Sequence, residues 1–93
     1  MIRSFRNNTT EAVFNGENPK RFPADLVKAA RRKLRYLNAA ADLNDLRSPP
    51  GKRLEALTGD RRGQYSIRIN DQFRICFVWT AEGPADVEVV DYH

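Results

Sequence analysis

Alternation of apolar and polar residues predicts a β-hairpin between residues 64 and 78. Side chains in a strand point to opposite faces in turn, so a half-buried strand carries an apolar residue at every second position. Two such runs are present, and they comprise Tyr65, Ile67 and Ile69, then Phe73, Ile75 and Phe77. If both runs bury the same face of one sheet, a loop over residues 70–72 joins them and Arg68 lies directly opposite Arg74.

This opposition of Arg68 and Arg74 requires an explanation, because like charges opposed across two strands are destabilising. Two opposed guanidinium groups become favourable when a phosphate or a carboxylate lies between them. Alternatively, both side chains turn into solvent and are screened by Asp60, Asp71 or a terminal carboxylate. The alternation alone leaves both interpretations open.

The N-terminal half predicts two helices. The Asn and Thr residues of NNTTEAVF (residues 7–14) can cap a short first helix, which Gly16 can end with a positive φ. Pro23 lies where a second helix can begin, since the first turn does not need its missing N–H. Apolar residues then recur at helical spacing and form one stripe, which consists of Leu26, Val27, Ala30, Leu34, Leu37 and Ala41.

Shorter segments complete the predicted layout. Ile2 and Phe5 indicate a short first strand, and RLEAL (residues 53–57) indicates another. RSPPGK (47–52) predicts a loop because consecutive prolines and a glycine cannot continue a helix. TGDRRG (58–63) and AEGPA (81–85) predict turns, and a last strand is expected around residues 86–90. Two helices followed by antiparallel strands predict an α+β fold, with one domain over residues 1–93.

Composition excludes several classes of protein. The chain is 41% hydrophobic and 30% charged, and no apolar run is long enough to span a membrane. The opening residues MIRSFRNN lack the apolar core of a signal peptide. Cys76 is the single cysteine, so it cannot form an intramolecular disulfide, and no Cys/His cluster is present for a metal. These features predict a cytoplasmic protein that needs neither a metal nor another cofactor.

The net charge of +4 is unevenly distributed. Residues 20–35 carry seven Lys/Arg and one acidic residue, and residues 47–74 carry seven Lys/Arg and three acidic residues. Residues 75–93 carry four acidic residues and no Lys or Arg. Such basic blocks favour a polyanionic or acidic partner. The first block also fits a solvated helix face, whereas the second contains the opposed arginines.

The second block belongs to a longer stretch that resembles a known family. RLEALTGDRRGQYSIRINDQFRICF (residues 53–77), the ending VVDYH and the opening MIRSFR resemble the HigB toxins of the RelE/ParE superfamily. The resemblance implies two helices packed on one face of an antiparallel sheet, with a basic site on its other face. It also implies the toxin half of a type II toxin–antitoxin pair, a ribosome-dependent endoribonuclease that cuts messenger RNA in the ribosomal A site. The implied partners are a helix-turn-helix antitoxin of the HigA type and, through the complex, operator DNA.

The resemblance also assigns candidate site residues. Arg74 falls where the family places an arginine that stabilises the scissile phosphate, and Asp91, Tyr92 and His93 fall on its C-terminal active-site segment. Many HigB members have histidine at the position of Glu55 and lysine at the position of Thr58. A YoeB toxin, however, has a glutamate proposed as general base at this place, so Glu55, Arg74 and His93 resemble a YoeB-type set. The arginines expected to bind RNA phosphates are Arg53, Arg61, Arg62, Arg68 and Arg74.

The chemistry of RNA cleavage without a metal needs three groups. A base removes the proton of the 2′-hydroxyl, a cation stabilises the charge on the phosphorane, and an acid protonates the leaving 5′-oxygen. Glu55, Arg74 and His93 can fill these roles in that order, and the expected product is a 2′,3′-cyclic phosphate. Tyr92 can stack on a base. Two alternatives stay open, a ParE-like inhibitor of DNA gyrase on the same fold and a catalytically inactive module that binds antitoxin and DNA.

Overall fold

The computed structural model describes residues 1–47 and 54–91. Helix α1 spans Asn8–Phe14 and helix α2 spans Ala24–Ala39. Short 3-10 helices occupy Leu43–Leu46 and Gly59–Arg61. The strands are β1 (Glu55–Ala56), β2 (Gln64–Arg68), β3 (Phe73–Thr80) and β4 (Gly83–Asp91). The predicted α+β class is confirmed, and the 3-10 helix over Leu43–Leu46 is an element that the sequence patterns did not indicate.

Local signals determine where α1 and α2 begin and end. The Asn7 side chain accepts a hydrogen bond from the Thr10 N–H at 2.8 Å and caps α1. Gly16 follows α1 with a φ of 95°, as its lack of a Cβ permits. Pro23 is the N-cap of α2, one position earlier than the first helical turn in which it was expected. Helix α2 ends at Ala39, so Ala41 lies beyond the helix and is exposed. The prediction that Ala41 belongs to the apolar stripe was therefore wrong.

The described residues form a four-stranded antiparallel sheet in the order β1-β2-β3-β4. The predicted hairpin register is confirmed, because Ile67 pairs with Ile75 and Arg68 pairs with Arg74. Strand β4 begins at Gly83, so the turn predicted over residues 81–85 is confined to Ala81 and Glu82. An irregularity between β3 and β4 shifts the register after Cys76. Asp86 lies there with a φ of 52°, which is uncommon outside glycine and fits a β-bulge.

The hydrophobic core lies between the helices and one face of the sheet. Both helices contribute to it, as the resemblance implied, and its fully buried large residues include Val13, Leu34, Leu37, Leu46, Ile67, Ile75, Phe77 and Val87. The hairpin supplies its apolar face to this core, so its polar face is directed away from the helices. None of the helices in the described part of the chain has the length and apolar character needed to cross a membrane.

The N-terminal segment runs alongside β4 without forming a regular strand. Phe5 makes an isolated parallel bridge with Val87, so the predicted strand over Ile2–Phe5 is reduced to this bridge. The Arg6 N–H donates to the Val87 carbonyl at 2.9 Å, and the Val87 N–H donates to the Ser4 carbonyl at 3.1 Å. These hydrogen bonds cover part of the outer edge of β4, which would otherwise present unpaired backbone groups.

Candidate functional site

One row of side chains crosses the sheet on the face opposite the helices, which we call the polar face. Glu55 of β1 pairs with Ser66 of β2, Ser66 pairs with Cys76 of β3, and Cys76 pairs with Glu88 of β4. Directly opposed residues on neighbouring strands point to the same side of a sheet, so all four side chains share this face. A carboxylate therefore lies at each end of the row, with a hydroxyl and a thiol between them.

Arg74 is held at the Glu55 end of this row. Its Nη2 lies 2.7 Å from Glu55 Oε1, and its Nε donates to Ser66 Oγ at 2.8 Å. The Arg74 side chain is 12% exposed, whereas that of Glu55 is 54% exposed. Ser66 is fully buried, so its hydroxyl provides a fixed acceptor beneath the guanidinium group. The arrangement places an accessible carboxylate next to an oriented cation.

The two opposed arginines diverge instead of sharing one anion. Arg68 forms an ion pair with Asp71 in the loop of the hairpin, while Arg74 turns toward β1 and Glu55. Each guanidinium group has its own carboxylate, which offsets the repulsion expected from their opposition. The interpretation in which an acidic residue screens the arginine therefore applies to Arg68, and Asp71 is the screening residue.

Arg61 lies at the other end of the row. Its Nη1 is 2.9 Å from Glu88 Oε1 and 3.0 Å from Gln64 Oε1. Glu88 also lies 3.7 Å from the Nε of Arg6 and is only 13% exposed. Arg61, predicted to contact RNA phosphates, is thus anchored on the polar face by a largely buried carboxylate.

Cys76 lies in the middle of the row and is inaccessible to solvent. Burial raises the pKa of its thiol, and Glu88 acts in the same direction, while Arg61 and Arg74 oppose the shift. A buried thiol whose pKa is raised is a poor nucleophile, because the thiolate is the reactive form. Cys76 consequently fills space between the Glu55–Arg74 and Arg61–Glu88 ion pairs, and its burial disfavours a role as nucleophile.

The remaining predicted residues are dispersed. Asp91 pairs with Phe73, so its side chain lies on the helix-packed side of the sheet, whereas Arg74 lies on the polar face. The Asp91 carboxylate accepts a hydrogen bond from the Gln72 side chain at 3.1 Å. Arg62 is exposed at the end of the second 3-10 helix. Arg53, Tyr92 and His93 lie outside the described residues. Among residues 1–47 and 54–91, no group of His, Cys, Asp or Glu side chains is suited to hold a metal ion.

Two residues of the polar face were not assigned a role from the sequence. Ser66 lies between Tyr65 and Ile67 in the hairpin, so alternation predicts that it points to the polar face, but its burial beneath Arg74 depends on the three-dimensional contacts. Glu88 alternates with Val87 and Val89 in the last strand, which is a weak signal of a face shared with Cys76. Neither residue could be connected to an arginine before the order of the strands was known.

The geometry can be compared with known proteins. The family model described as the RelE-like toxin of type II toxin–antitoxin system HigB matches residues 3–93. The chain is 37% identical over 94 residues to Toxin HigB-1 of Vibrio cholerae, which covers 100% of this chain and 98% of the relative. It is 28% identical over 93 residues to Endoribonuclease HigB of Proteus vulgaris, with complete coverage of both chains.

A solved structure shares the fold. The YoeB–YefM complex from Staphylococcus aureus contains a chain that superposes with a TM-score of 0.61 at 18% identity, with coverage of 100% of this chain and 98% of that one. At this identity the likeness supports the arrangement of helices and sheet alone. The match of the family model over nearly the whole chain is more specific. The chain belongs to the family of RelE-like HigB toxins of type II toxin–antitoxin systems.

Proposed function

We propose that this toxin is a metal-independent endoribonuclease that cleaves messenger RNA in the ribosomal A site and thereby inhibits translation. The observation that carries the proposal is the contact of Arg74 with Glu55 and Ser66 on the polar face. A relative over the full chain length is named an endoribonuclease, which agrees with this chemistry. An accessible carboxylate next to an oriented guanidinium group is suited to attack on a phosphodiester by its own 2′-hydroxyl.

In the proposed reaction, the Glu55 carboxylate accepts the proton of the 2′-hydroxyl, and the resulting oxygen attacks the adjacent phosphorus. Arg74 stabilises the negative charge that develops on the non-bridging oxygens of the phosphorane. The P–O5′ bond then breaks, which leaves a 2′,3′-cyclic phosphate on one fragment and a 5′-hydroxyl on the other. The Nε contact to Ser66 fixes the plane of the guanidinium group, so its remaining donors can be presented to the phosphate.

A general acid must protonate the leaving 5′-oxygen, and we assign this role to His93 on the basis of the family resemblance. Imidazole is suited to it because its ordinary pKa of about 6.5 lies close to physiological pH. Tyr92 is assigned to stacking on a base, and Asp91 to support of the C-terminal segment. The side chain of Asp91 lies on the helix-packed side of the sheet, so its assignment rests on the family resemblance alone.

The ion pair between Glu55 and Arg74 supports the proposal that cleavage depends on the ribosome. A phosphate that binds Arg74 must compete with Glu55, and free RNA must also give up many conformations to place its 2′-oxygen in line with the leaving oxygen. A message held in the ribosomal A site has already lost much of that freedom. We therefore expect fast cleavage on ribosomes and slow cleavage of naked RNA. The arginines Arg53, Arg61, Arg62 and Arg68 are assigned to the surrounding phosphates.

The partner proposed for this chain is an antitoxin of the helix-turn-helix type, which neutralises the toxin and carries it to operator DNA. The toxin–antitoxin family and the complex in which the YoeB chain was solved both support a protein partner. The proposed location is the cytoplasm, because ribosomes and the antitoxin are present there.

The proposal is tested by induced expression followed by mapping of messenger RNA ends. New ends within translated codons, lost in Arg74→Ala and retained in Arg21→Ala, are the expected result. Arg21 is a matched control because it is an exposed arginine in the connector before α2. Intact messages together with trapped gyrase–DNA complexes would instead identify a ParE-like inhibitor. Intact messages and normal growth would identify an inactive module.

A further inference from the structure

The outer side of α2 carries four basic residues at helical spacing, Lys28, Arg31, Arg32 and Arg35. They line a surface depression of about 340 Å³, which we call the α2 groove. Residues three or four positions apart are neighbours on a helix, so the four side chains form one stripe. The buried stripe of α2 packs toward the apolar face of the sheet. The α2 groove therefore lies on the other side of the molecule from the polar face.

Three of the four cations have no role in holding the fold together. Arg31 links the two helices, because its Nε donates to the Val13 carbonyl and its Nη2 to the Glu17 carbonyl, both at 2.8 Å. Lys28, Arg32 and Arg35 are exposed. No residue within 1–47 and 54–91 forms an ion pair or a hydrogen bond with these three side chains.

This lack of partners distinguishes the α2 groove from the polar face. On the polar face, Arg61, Arg68 and Arg74 each contact a carboxylate of the same chain. Like charges three and four residues apart destabilise a helix, and the residues that line the groove are all basic. The α2 groove is thus a concave surface with uncompensated positive charge, which favours an anionic partner.

The walls of the groove indicate which kind of anion fits. Lysine and arginine stems are apolar along their length, so four of them provide hydrophobic contact as well as charge. A single RNA strand is usually held by bases stacked on aromatic side chains. Met1 is the large hydrophobic residue that is exposed in the described part of the chain, and no exposed aromatic side chain accompanies it there. An amphipathic acidic polypeptide matches both the stems and the guanidinium groups.

We infer that the α2 groove is a docking surface for an acidic segment of the antitoxin. The inference rests on the antitoxin partner of the proposed function, and it is independent of the ribonuclease activity. Carboxylates of the antitoxin would pair with Lys28, Arg32 and Arg35, while Arg31 keeps its contacts with α1. The surface is separate from Glu55 and Arg74, so binding in the groove and RNA cleavage can be measured independently.

The test replaces the three unpartnered cations by glutamine, as Lys28→Gln, Arg32→Gln and Arg35→Gln in one chain. Glutamine has a similar helix propensity, so α2 should be retained. The matched control carries Arg3→Gln, Lys20→Gln and Arg47→Gln, which removes the same charge from other exposed positions. The probe is the full-length antitoxin that neutralises this chain on co-expression. We expect its Kd to rise at least about tenfold for the groove variant, since three charged contacts are lost. The control should change by less than about threefold.

A second measurement uses the unaltered complex. Carbodiimide joins a lysine amine to a carboxylate that is in contact with it, so peptide mapping should find Lys28 linked to an Asp or Glu of the antitoxin. An unchanged Kd in the folded groove variant would overturn the inference, as would a complex without a Lys28 cross-link.

Cleavage on programmed ribosomes, measured with the same groove variant, separates the two proposals. Loss of ribosome association with unchanged antitoxin affinity would assign the groove to RNA, which overturns this inference and leaves the proposed function standing. If the groove variant binds the antitoxin more weakly and the wild-type toxin never cuts messages, the docking surface would be supported and the proposed ribonuclease activity refuted.

Discussion

Glu55 and Arg74 contact each other across 2.7 Å, although β2 separates the strands to which they belong. The contact forms because Arg74 extends over the buried Ser66, which lies between the two strands, and reaches the exposed carboxylate beyond it. A small sheet thereby holds a carboxylate and a cation side by side without help from the helices. The helices supply the core that keeps the sheet in place.

The first prediction concerns Arg74. Replacement by alanine should reduce the cleavage rate by at least about 100-fold, the loss typical for a donor that stabilises transition-state charge. Replacement by lysine should impair cleavage nearly as much, because an ammonium group cannot contact Ser66 and Glu55 together in the planar geometry of guanidinium. Single-turnover cleavage on programmed ribosomes measures both rates. Full activity in a folded Arg74→Lys protein would show that charge alone suffices.

The Ser66→Ala variant tests whether Ser66 orients Arg74 for catalysis or contributes to the binding of RNA. In Ser66→Ala, the Nε of Arg74 loses its acceptor, so we expect kcat to fall about tenfold with little change in KM. A purely structural role would lower the thermal midpoint and leave kcat of the folded fraction unchanged. Kinetics at saturating ribosome concentration, together with a thermal melt, distinguish these results.

Much of this arrangement could be predicted from the sequence, because it depends on local patterns. The alternation in residues 64–77 determines the register, and so it correctly placed Arg68 opposite Arg74. The carboxylate that each arginine contacts could not be predicted in the same way, since it depends on which strands flank the hairpin in the sheet. Glu55 reaches Arg74 only because the two-residue strand β1 pairs with β2, and Glu88 lies on the polar face only because β4 pairs with β3. Ala41 was misplaced because helical spacing continued past the residue at which α2 ends.

The carboxylates of Glu88 and Asp71 should differ sharply in their contribution to stability. Glu88 is 13% exposed, so Glu88→Ala removes a largely buried carboxylate that contacts both Arg61 and Arg6, and it should cost about 1–2 kcal/mol. Asp71 is 96% exposed, and Asp71→Ala should leave the free energy of unfolding unchanged. Urea denaturation of the two variants tests this contrast. Equal losses in both would contradict the difference in burial.

The raised pKa of Cys76 predicts a stability that declines in mildly alkaline solution. The unfolded thiol releases its proton above its ordinary pKa of about 8.5, whereas the buried thiol keeps it, so unfolding is favoured as pH rises. This contribution is fully present below the unfolded pKa and is lost as pH rises through the folded one. Thermal midpoints between about pH 7.5 and 9.5 should therefore fall more in the wild type than in Cys76→Ala. The native thiol should also resist a disulfide reagent until the chain unfolds.

Deletion of His93 tests the proposed general acid. We expect the cleavage rate to fall by about 100-fold or more, while folding and antitoxin binding are retained. Wild-type cleavage should also decline as pH rises above the ordinary pKa of histidine, about 6.5, because the acid loses its proton. That alkaline decline should be absent in the deletion. A deletion variant that cuts at the wild-type rate would exclude His93 as the acid.

The central claim is that Glu55 and Arg74 promote attack by a 2′-hydroxyl of a ribosome-bound message. The most direct test compares a message on programmed ribosomes with the same message carrying a single 2′-deoxy nucleotide at the mapped cleavage position. We expect fast cleavage of the first message, with a 2′,3′-cyclic phosphate end, and no cleavage of the second message at that position. Cleavage of the 2′-deoxy message at the same bond and rate would contradict it.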